Sequence, residues 1–424
     1  MKMYNLFPLL AGEFHRWDSH IERAAGMGFD WIFTNPVQQT GQSGSLYSIA
    51  DYFALNPKLV DKSSRKKPDT QLKEAIKNAE KKHDVKMMTD LVINHCAADS
   101  ELIQQHPEWF VHDQHGNVEH PFCLEDDSTK VVWYDLVRFD HEHTSDPEGL
   151  YKFFYSIVKH YIKLGFKGFR CDAAYLIPSQ LWQRLINDIK SEYPNIMFTA
   201  ETLGCTEEQS RNTAQAGFDY IFNSSKWWDF SSPWLIDQYH QHRSATVPSI
   251  SFPESHDTER LFQESSNNIA AQKQRYLFAA VFSAGVMMPM GYEFGFQKSL
   301  HVVETHPDDW EHTDIDLTDF ITQVNAFKSK YKVFQEDGPI EVFSHEDTSV
   351  LFMKKTSNCN QQEALLVINK DPWNKQHFST DNLYHFIQSG KKLKDLSLEY
   401  ALDFIPTPFE FGLNPGMARV MVAS

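Results

Sequence analysis

Four apolar runs in this sequence end in acids, and the acids are of the kinds that move protons and attack carbon. The runs are Thr89-Asp90-Leu91-Val92-Ile93-Asn94-His95, Gly168-Phe169-Arg170-Cys171-Asp172-Ala173-Ala174, Phe198-Thr199-Ala200-Glu201-Thr202 and Phe252-Pro253-Glu254-Ser255-His256-Asp257-Thr258. Cleavage of a glycosidic bond passes through an oxocarbenium-like state, which asks for one carboxylic acid to protonate the leaving oxygen and one carboxylate to meet the anomeric carbon. Arg170 stands two residues before Asp172, so the period-2 rule of a strand puts both on one face, and a guanidinium there holds a nucleophilic carboxylate ionised. Glu201 ends a mostly apolar run, where burial and neighbouring carboxylates raise its proton affinity and suit it to act as the acid. Asp257 supplies a third carboxylate to grip hydroxyls and stabilise positive charge on the ring, and His95 and His256 supply donors.

Acids from distant segments meet only if the chain brings its strand ends together. Short apolar runs alternate with amphipathic stretches along most of the chain, the pattern of repeated βα units around a parallel sheet. Eight strands are expected, over Tyr4 to Leu10, Trp31 to Thr34, Val85 to Ile93, Gly168 to Asp172, Ile196 to Glu201, Phe218 to Phe222, Ser249 to Phe252 and Val286 to Met290. This is an α/β chain closed as a (β/α)8 barrel, a fold that carries its reactive groups at the carboxyl ends of its strands. Leu150, Phe153, Phe154, Ile157, Val158, Tyr161 and Ile162 recur at helical spacing behind Pro147, predicting a helix from Pro147 to Leu164.

Two departures from the alternation divide the chain. A polar, aromatic stretch after the third strand predicts a small insert over the barrel mouth at 96–146. It splits the barrel into 1–95 and 147–333. Beyond that, short alternating segments such as Ser349-Val350-Leu351-Phe352-Met353 and Ala364-Leu365-Leu366-Val367-Ile368 predict a C-terminal antiparallel β-sandwich at 334–424.

Composition narrows the partners. A formal charge of −17 argues against nucleic acid and anionic membranes, which attract basic surfaces, and leaves a neutral sugar unaffected. Ten Trp and sixteen Tyr provide aromatic platforms for pyranose faces as well as core packing; Trp227-Trp228 after the sixth strand is a candidate platform. The N-terminal residues show no basic, apolar and small-residue succession of a signal peptide, and no run is long enough to span a bilayer, so the cytoplasm is the expected location. Five scattered cysteines are expected as reduced thiols. Cys171 is read as a small core residue on the face of its strand opposite Asp172.

Taken in order, Asp90 to His95, Gly168 to Ala174, Glu201 and His256-Asp257 resemble the four short motifs of the α-amylase family, glycoside hydrolase family 13. The resemblance covers nearly the whole chain and implies a TIM barrel with a domain B insert after strand 3 and a C-terminal domain C. It implies Asp172 as nucleophile, Glu201 as acid/base and Asp257 as transition-state stabiliser, with Asp90, His95, Arg170 and His256 around the reacting sugar. Tyr47-Ser48-Ile49-Ala50-Asp51-Tyr52 is similar to the segment in which the first Tyr stacks on that sugar, adding Tyr47 and Asp51 to the substrate-binding set. Within the family the chain looks most like the maltosyltransferases that use maltose 1-phosphate, through His106-Pro107-Glu108-Trp109-Phe110, Asp146-Pro147-Glu148-Gly149-Leu150-Tyr151 and Val367-Ile368-Asn369-Lys370-Asp371-Pro372. It differs from them in keeping the His256-Asp257 pair and in carrying Val131-Val132, beside Lys130, where their phosphate-binding lysines align. It differs from typical α-amylases in having Tyr175 and Leu176 where these continue Lys-His. One of those residues contributes to a calcium site, and Asn94 alone is a poor set for a cation wanting six to eight oxygens, so no metal and no cofactor are expected. Ala173 resembles members acting on α-1,4 bonds.

The expected activity is hydrolysis of α-1,4-linked glucose oligosaccharides, or transfer between them, with retention through a covalent intermediate. Maltosyl transfer from maltose 1-phosphate is the alternative within the same chemistry. A catalytically inactive sugar-binding descendant of the fold is the alternative from another class.

Overall fold

The computed structural model describes residues 1–125, 129–344 and 348–424. Eight parallel strands close into a barrel: β1 (Lys2–Leu6), β2 (Trp31–Thr34), β3 (Lys86–Leu91), β4 (Gly168–Cys171), β5 (Met197–Ala200), β6 (Tyr220–Phe222), β7 (Ser249–Ser251) and β8 (Gly285–Pro289). Each pairs with its neighbours in sequence, and β8 returns to β1 with Met3 opposite Met287. The connecting helices include Pro68–His83, Pro147–Leu164 and Ile269–Phe282. The second has the expected bounds: Pro147 occupies its first turn, the Asp146 carboxylate accepts the Gly149 N–H, and Gly165 ends it at a φ of 119°.

The period-2 rule assigns every strand an inner and an outer face. Met3, Trp31, Phe33, Met88, Phe222, Ile250 and Met287 form a separate cluster with Phe252 that fills the barrel, while Tyr4, Ile32, Met87, Phe169, Phe198 and Ile221 belong to the shell against the helices. Gly168 lies against the Met197 carbonyl and the Trp31 indole; a Cβ there would stand 3.0 Å from the first and 3.2 Å from the second. Asp90 stands opposite Arg170 on adjacent strands, on the same inner face. The packing thus ends upward in a polar layer.

Several strands are shorter than expected. The first stops at Leu6 instead of Leu10, because Pro8 opens a one-turn helix, Pro8–Ala11, where its missing N–H is no loss. The third ends at Leu91, the fourth at Cys171 and the fifth at Ala200, so Asp172 and Glu201 lie one residue beyond their strands. Cys171 is fully buried on the outer face, as expected. Four cysteines, Cys96, Cys171, Cys205 and Cys359, are free thiols; the side chain of Cys123 lies outside those described.

Two excursions rise over the mouth. After β2, Gln38–Thr40 pairs with Ile49–Leu55. After β3, His95–Ala97 pairs with Leu136–Arg138, and Phe122–Glu125 with Thr129–Val132. The C-terminal region forms a five-stranded antiparallel sheet, with Ile340–Val342, Val350–Thr356, Glu363–Asn369, Ala418–Ala423 and Leu393–Asp395 as neighbours in that order. A two-stranded ribbon, Gln376–Thr380 with Phe409–Leu413, packs Phe378 and Phe409 against Phe352 and Leu365 of that sheet. No helix among the described residues is long and apolar enough to cross a membrane.

Candidate active site

Arg170 is the hub. Its Nη1 donates to Asp90 Oδ1 and to Asp172 Oδ1, each at 2.9 Å, and Nη2 lies 3.9 Å from Asp257 Oδ2. Phe33 from the barrel core packs under the guanidinium, 5.7 Å from its ring centroid. Arg170 is 4% exposed, so these carboxylates replace the water it lost. Asp172 is therefore held by a bond to a permanent cation while part of its carboxylate faces solvent.

The Asp90 carboxylate is fully engaged. Its Oδ2 accepts the Tyr47 hydroxyl at 2.8 Å. With that proton committed, the 2.6 Å contact between Tyr47 Oη and His256 Nε2 is one in which the imidazole donates. The same Nε2 lies 3.0 Å from Asp257 Oδ2, so the proton is shared between two acceptors. Burial depresses the His256 proton affinity to about 4, leaving a neutral ring with Nε2–H. Burial also lowers that of His95, whose Nε2 has no partner among the described residues.

Glu201 sits at 6% exposure with its carboxyl oxygens accepting two backbone N–H groups, from Ala173 at 2.8 Å and from Leu203. Burial and the charges of Asp172 and Asp257 push its carboxyl up to about 7, against the pull of Arg170. Ala173, the residue after Asp172, adopts left-handed geometry at φ 43° and ψ 43°, which costs a non-glycine residue about 1 kcal/mol. That turn aims its N–H at Glu201 and ties the two acidic segments together across a single residue.

Asp257 is the most open of the group, with half of its side-chain surface exposed. Its loop is anchored by a fully buried pair, Glu254 Oε1 to Arg260 Nη1 at 2.8 Å, with Glu254 Oε2 also accepting the Leu261 N–H. The sequence shows Glu254 among the motif residues, but its partner Arg260 is six residues on and carries no local signal. Asn35 is another residue missed: it closes β2, receives a bond from Asn5 at 3.0 Å and donates to Tyr47 at 2.9 Å. The rule that picked out the other strand ends would have found it.

The fold thus gathers Tyr47, Asp90, His95, Arg170, Asp172, Glu201, His256 and Asp257. Asp51 stands apart. It is exposed, accepts the Phe53 N–H at 2.8 Å and lines a groove that contains none of the others. The ribbon explains this: in the alternation from Ile49 to Leu55 it points away from Tyr52, which packs inward. The Trp227-Trp228 pair also divides. Trp228 is buried against Phe230 and Phe278, and only Trp227, half-exposed and edge-on to Phe252, is a candidate platform. Leu176 is exposed beside the mouth, and Lys130 has its ammonium over the Phe122 ring at 3.9 Å. Asn94 contacts His95, and no group of three or more His, Cys, Asp or Glu among the described residues is arranged to hold a metal.

Fold and site together define a (β/α)8 barrel whose carboxyl-end rim presents three carboxylates around a buried guanidinium. The family model described as the glucanotransferase domain of glycogen debranching enzyme matches residues 1–114. An α-1,4-glucan:maltose-1-phosphate maltosyltransferase of Burkholderia pseudomallei is 23% identical over 376 residues, covering 85% of this chain and 32% of that protein. One of Arcanobacterium haemolyticum is 23% identical over 420 residues, covering 87% and 58%. The chain therefore spans less than two thirds of the length of these relatives. Among solved structures, the α-amylase of Geobacillus thermoleovorans complexed with acarbose superposes with a TM-score of 0.79 at 16% identity, covering 100% of this chain and 98% of that one. An α-amylase from Lactobacillus plantarum gives 0.77 at 19% identity, covering 99% and 98%. The chain thus shares the fold of solved α-amylases and is similar in sequence to these maltosyltransferases over most of its length.

Proposed function

We propose that the protein is a retaining enzyme acting on α-1,4-linked glucose oligosaccharides, by hydrolysis or by transfer to a sugar hydroxyl. The observation that carries this is the geometry of two carboxyls joined through Ala173: Asp172 is paired with Arg170 at 2.9 Å, and Glu201, buried beside it with its proton affinity pushed up to about 7, accepts the Ala173 N–H at 2.8 Å. Asp172 attacks the anomeric carbon, and Glu201 gives its proton to the departing oxygen. Then Glu201, now a carboxylate, takes a proton from the incoming water or sugar hydroxyl, which displaces Asp172. Asp257, half of whose side-chain surface is exposed, grips the sugar and stabilises its developing charge, while the buried Asp90 and His256 hold Arg170, Tyr47 and Asp257 in place around it.

Incubation with maltoheptaose, followed by mass spectrometry, tests the reading. Shorter products are expected from hydrolysis, with longer ones added by transfer; unchanged substrate refutes it. Asp172→Asn should abolish turnover while binding survives, and persistent turnover refutes the nucleophile assignment. The names of the sequence relatives favour a second reading, maltosyl transfer from maltose 1-phosphate. It predicts phosphate release in the presence of glycogen, and absence of release with enzyme in excess removes it.

A further inference from the structure

A groove of about 690 Å³ runs between the ribbon that follows β2 and the start of the insert. Its aromatic surfaces are Phe53, Phe153 and Trp109, the last with the His106 ring stacked on it at 3.7 Å. The amides of Gln39, Gln42 and Gln105 stand beside the acids Asp51, Asp99 and Glu101, and no Lys or Arg is found among the described lining residues. Phe53 is the telling residue. It is 41% exposed and lines the groove, and its contacts with Phe153 and His160 are T-shaped rather than stacked, so much of the ring is open to a ligand. Amides and carboxylates beside an exposed aromatic ring match a neutral ligand with hydroxyls around its rim and C–H bonds on its faces. The volume lies in the range of built ligand sites. The lack of basic groups argues against anionic ligands.

The groove is distinct from the catalytic mouth but shares a wall with it. Tyr52 lines the groove and is otherwise buried; its hydroxyl donates to the carbonyls of Val92 at 3.0 Å and His95 at 2.9 Å, on the segment that leads to the reactive layer. Tyr47 and His95 therefore face the acids, while Phe53 and Gln105, a few residues further along the same two segments, face the groove. We infer that this groove is a second, non-catalytic binding site for an α-glucan chain, in which Phe53 stacks on a pyranose face and Gln42 and Gln105 bond its hydroxyls. It anchors a long substrate beside the mouth that cleaves it, so the inference rests on the glucan activity proposed above.

Affinity electrophoresis of the full chain in gels containing soluble starch tests this, with maltotriose turnover as the parallel readout. The parent and Asp172→Asn should both be retarded. Phe53→Ala combined with Gln105→Ala should bind starch about five- to tenfold more weakly. Both residues are exposed, and maltotriose turnover by the double variant should match that of the parent. Equal retardation of parent and double variant overturns the inference, as does an unretarded parent, or a double variant that loses starch binding and maltotriose turnover together. If the parent cleaves maltoheptaose but is not retarded, the groove assignment alone falls. If it is retarded through Phe53 and Gln105 but turns over no glucan, the groove stands as a binding site and the catalytic proposal falls.

Discussion

On a glucan substrate, kcat is expected to fall about tenfold per pH unit above pH 7 as Glu201 loses the proton it must deliver. The structure sets the position of this limb. Burial of the carboxyl and the negative charges of Asp172 and Asp257 outweigh Arg170 and the Leu203 N–H, and carry the proton affinity from 4.5 to about 7. This difference corresponds to about 3 kcal/mol. The same quantity appears in folding with a definite sign. Between pH 4.5 and 7 the unfolded chain releases this proton and the folded chain keeps it, so the contribution of Glu201 to stability falls across that window by about 3 kcal/mol and is level above it. The assay is kcat and kcat/KM against pH on maltoheptaose and on an α-glucosyl fluoride, whose leaving group departs with little need of a proton. The limb should be steep with the first and shallow with the second. Glu201→Gln should lower turnover of maltoheptaose by about 100- to 10,000-fold and spare the initial burst of fluoride release, which needs no acid, while the later steps that need Glu201 as base slow. An equal limb on both substrates, or a limb displaced beyond about pH 9, would refute the assignment of Glu201 as the acid.

Tyr47→Phe removes the hydroxyl that satisfies Asp90 Oδ2 and accepts from His256 and Asn35, and should cost about 1–3 kcal/mol in urea unfolding. Arg260→Met strands the buried Glu254 carboxylate beneath the loop of His256 and Asp257. A loss of about 3–5 kcal/mol is expected, with a raised KM as that loop loosens; unchanged stability and KM would show that the pair does not anchor it. In the C-terminal sheet, Arg419 and Asp395 form an ion pair with no exposed side-chain surface, and Arg419→Met should likewise lower stability by about 3–5 kcal/mol. Scanning calorimetry checks it, while maltoheptaose turnover at low temperature should be unaffected.

The barrel was legible because its physical signals are local. Apolar runs of strand length recur between amphipathic helices, and each of the eight expected runs contains or overlaps an observed strand. Pro147 and Gly165 delimit their helix by backbone geometry that any chain would obey. Asp172 and Glu201 stood out for the same reason, as acids that close apolar runs of strand length. Asp51 falls outside the catalytic group because a motif fixes its position in the chain but not the direction of its side chain, which the pairing of Gln39 with Asp51 in an irregular ribbon decides.

By itself, then, the sequence determined which acids stand at strand ends and that Arg170 on β4 and Asp172 just beyond it share one face, because period-2 geometry needs no partner. Only the tertiary structure decided that Glu201 keeps its proton to about 7, since that value comes from burial and from charges on β4 and on the loop after β7. It also decided that the Ala173 N–H, in a strained turn with no sequence signal, joins the two reactive segments. Proton affinity and distance are properties of an assembled environment, and residues 28 positions apart acquire them only when the barrel closes.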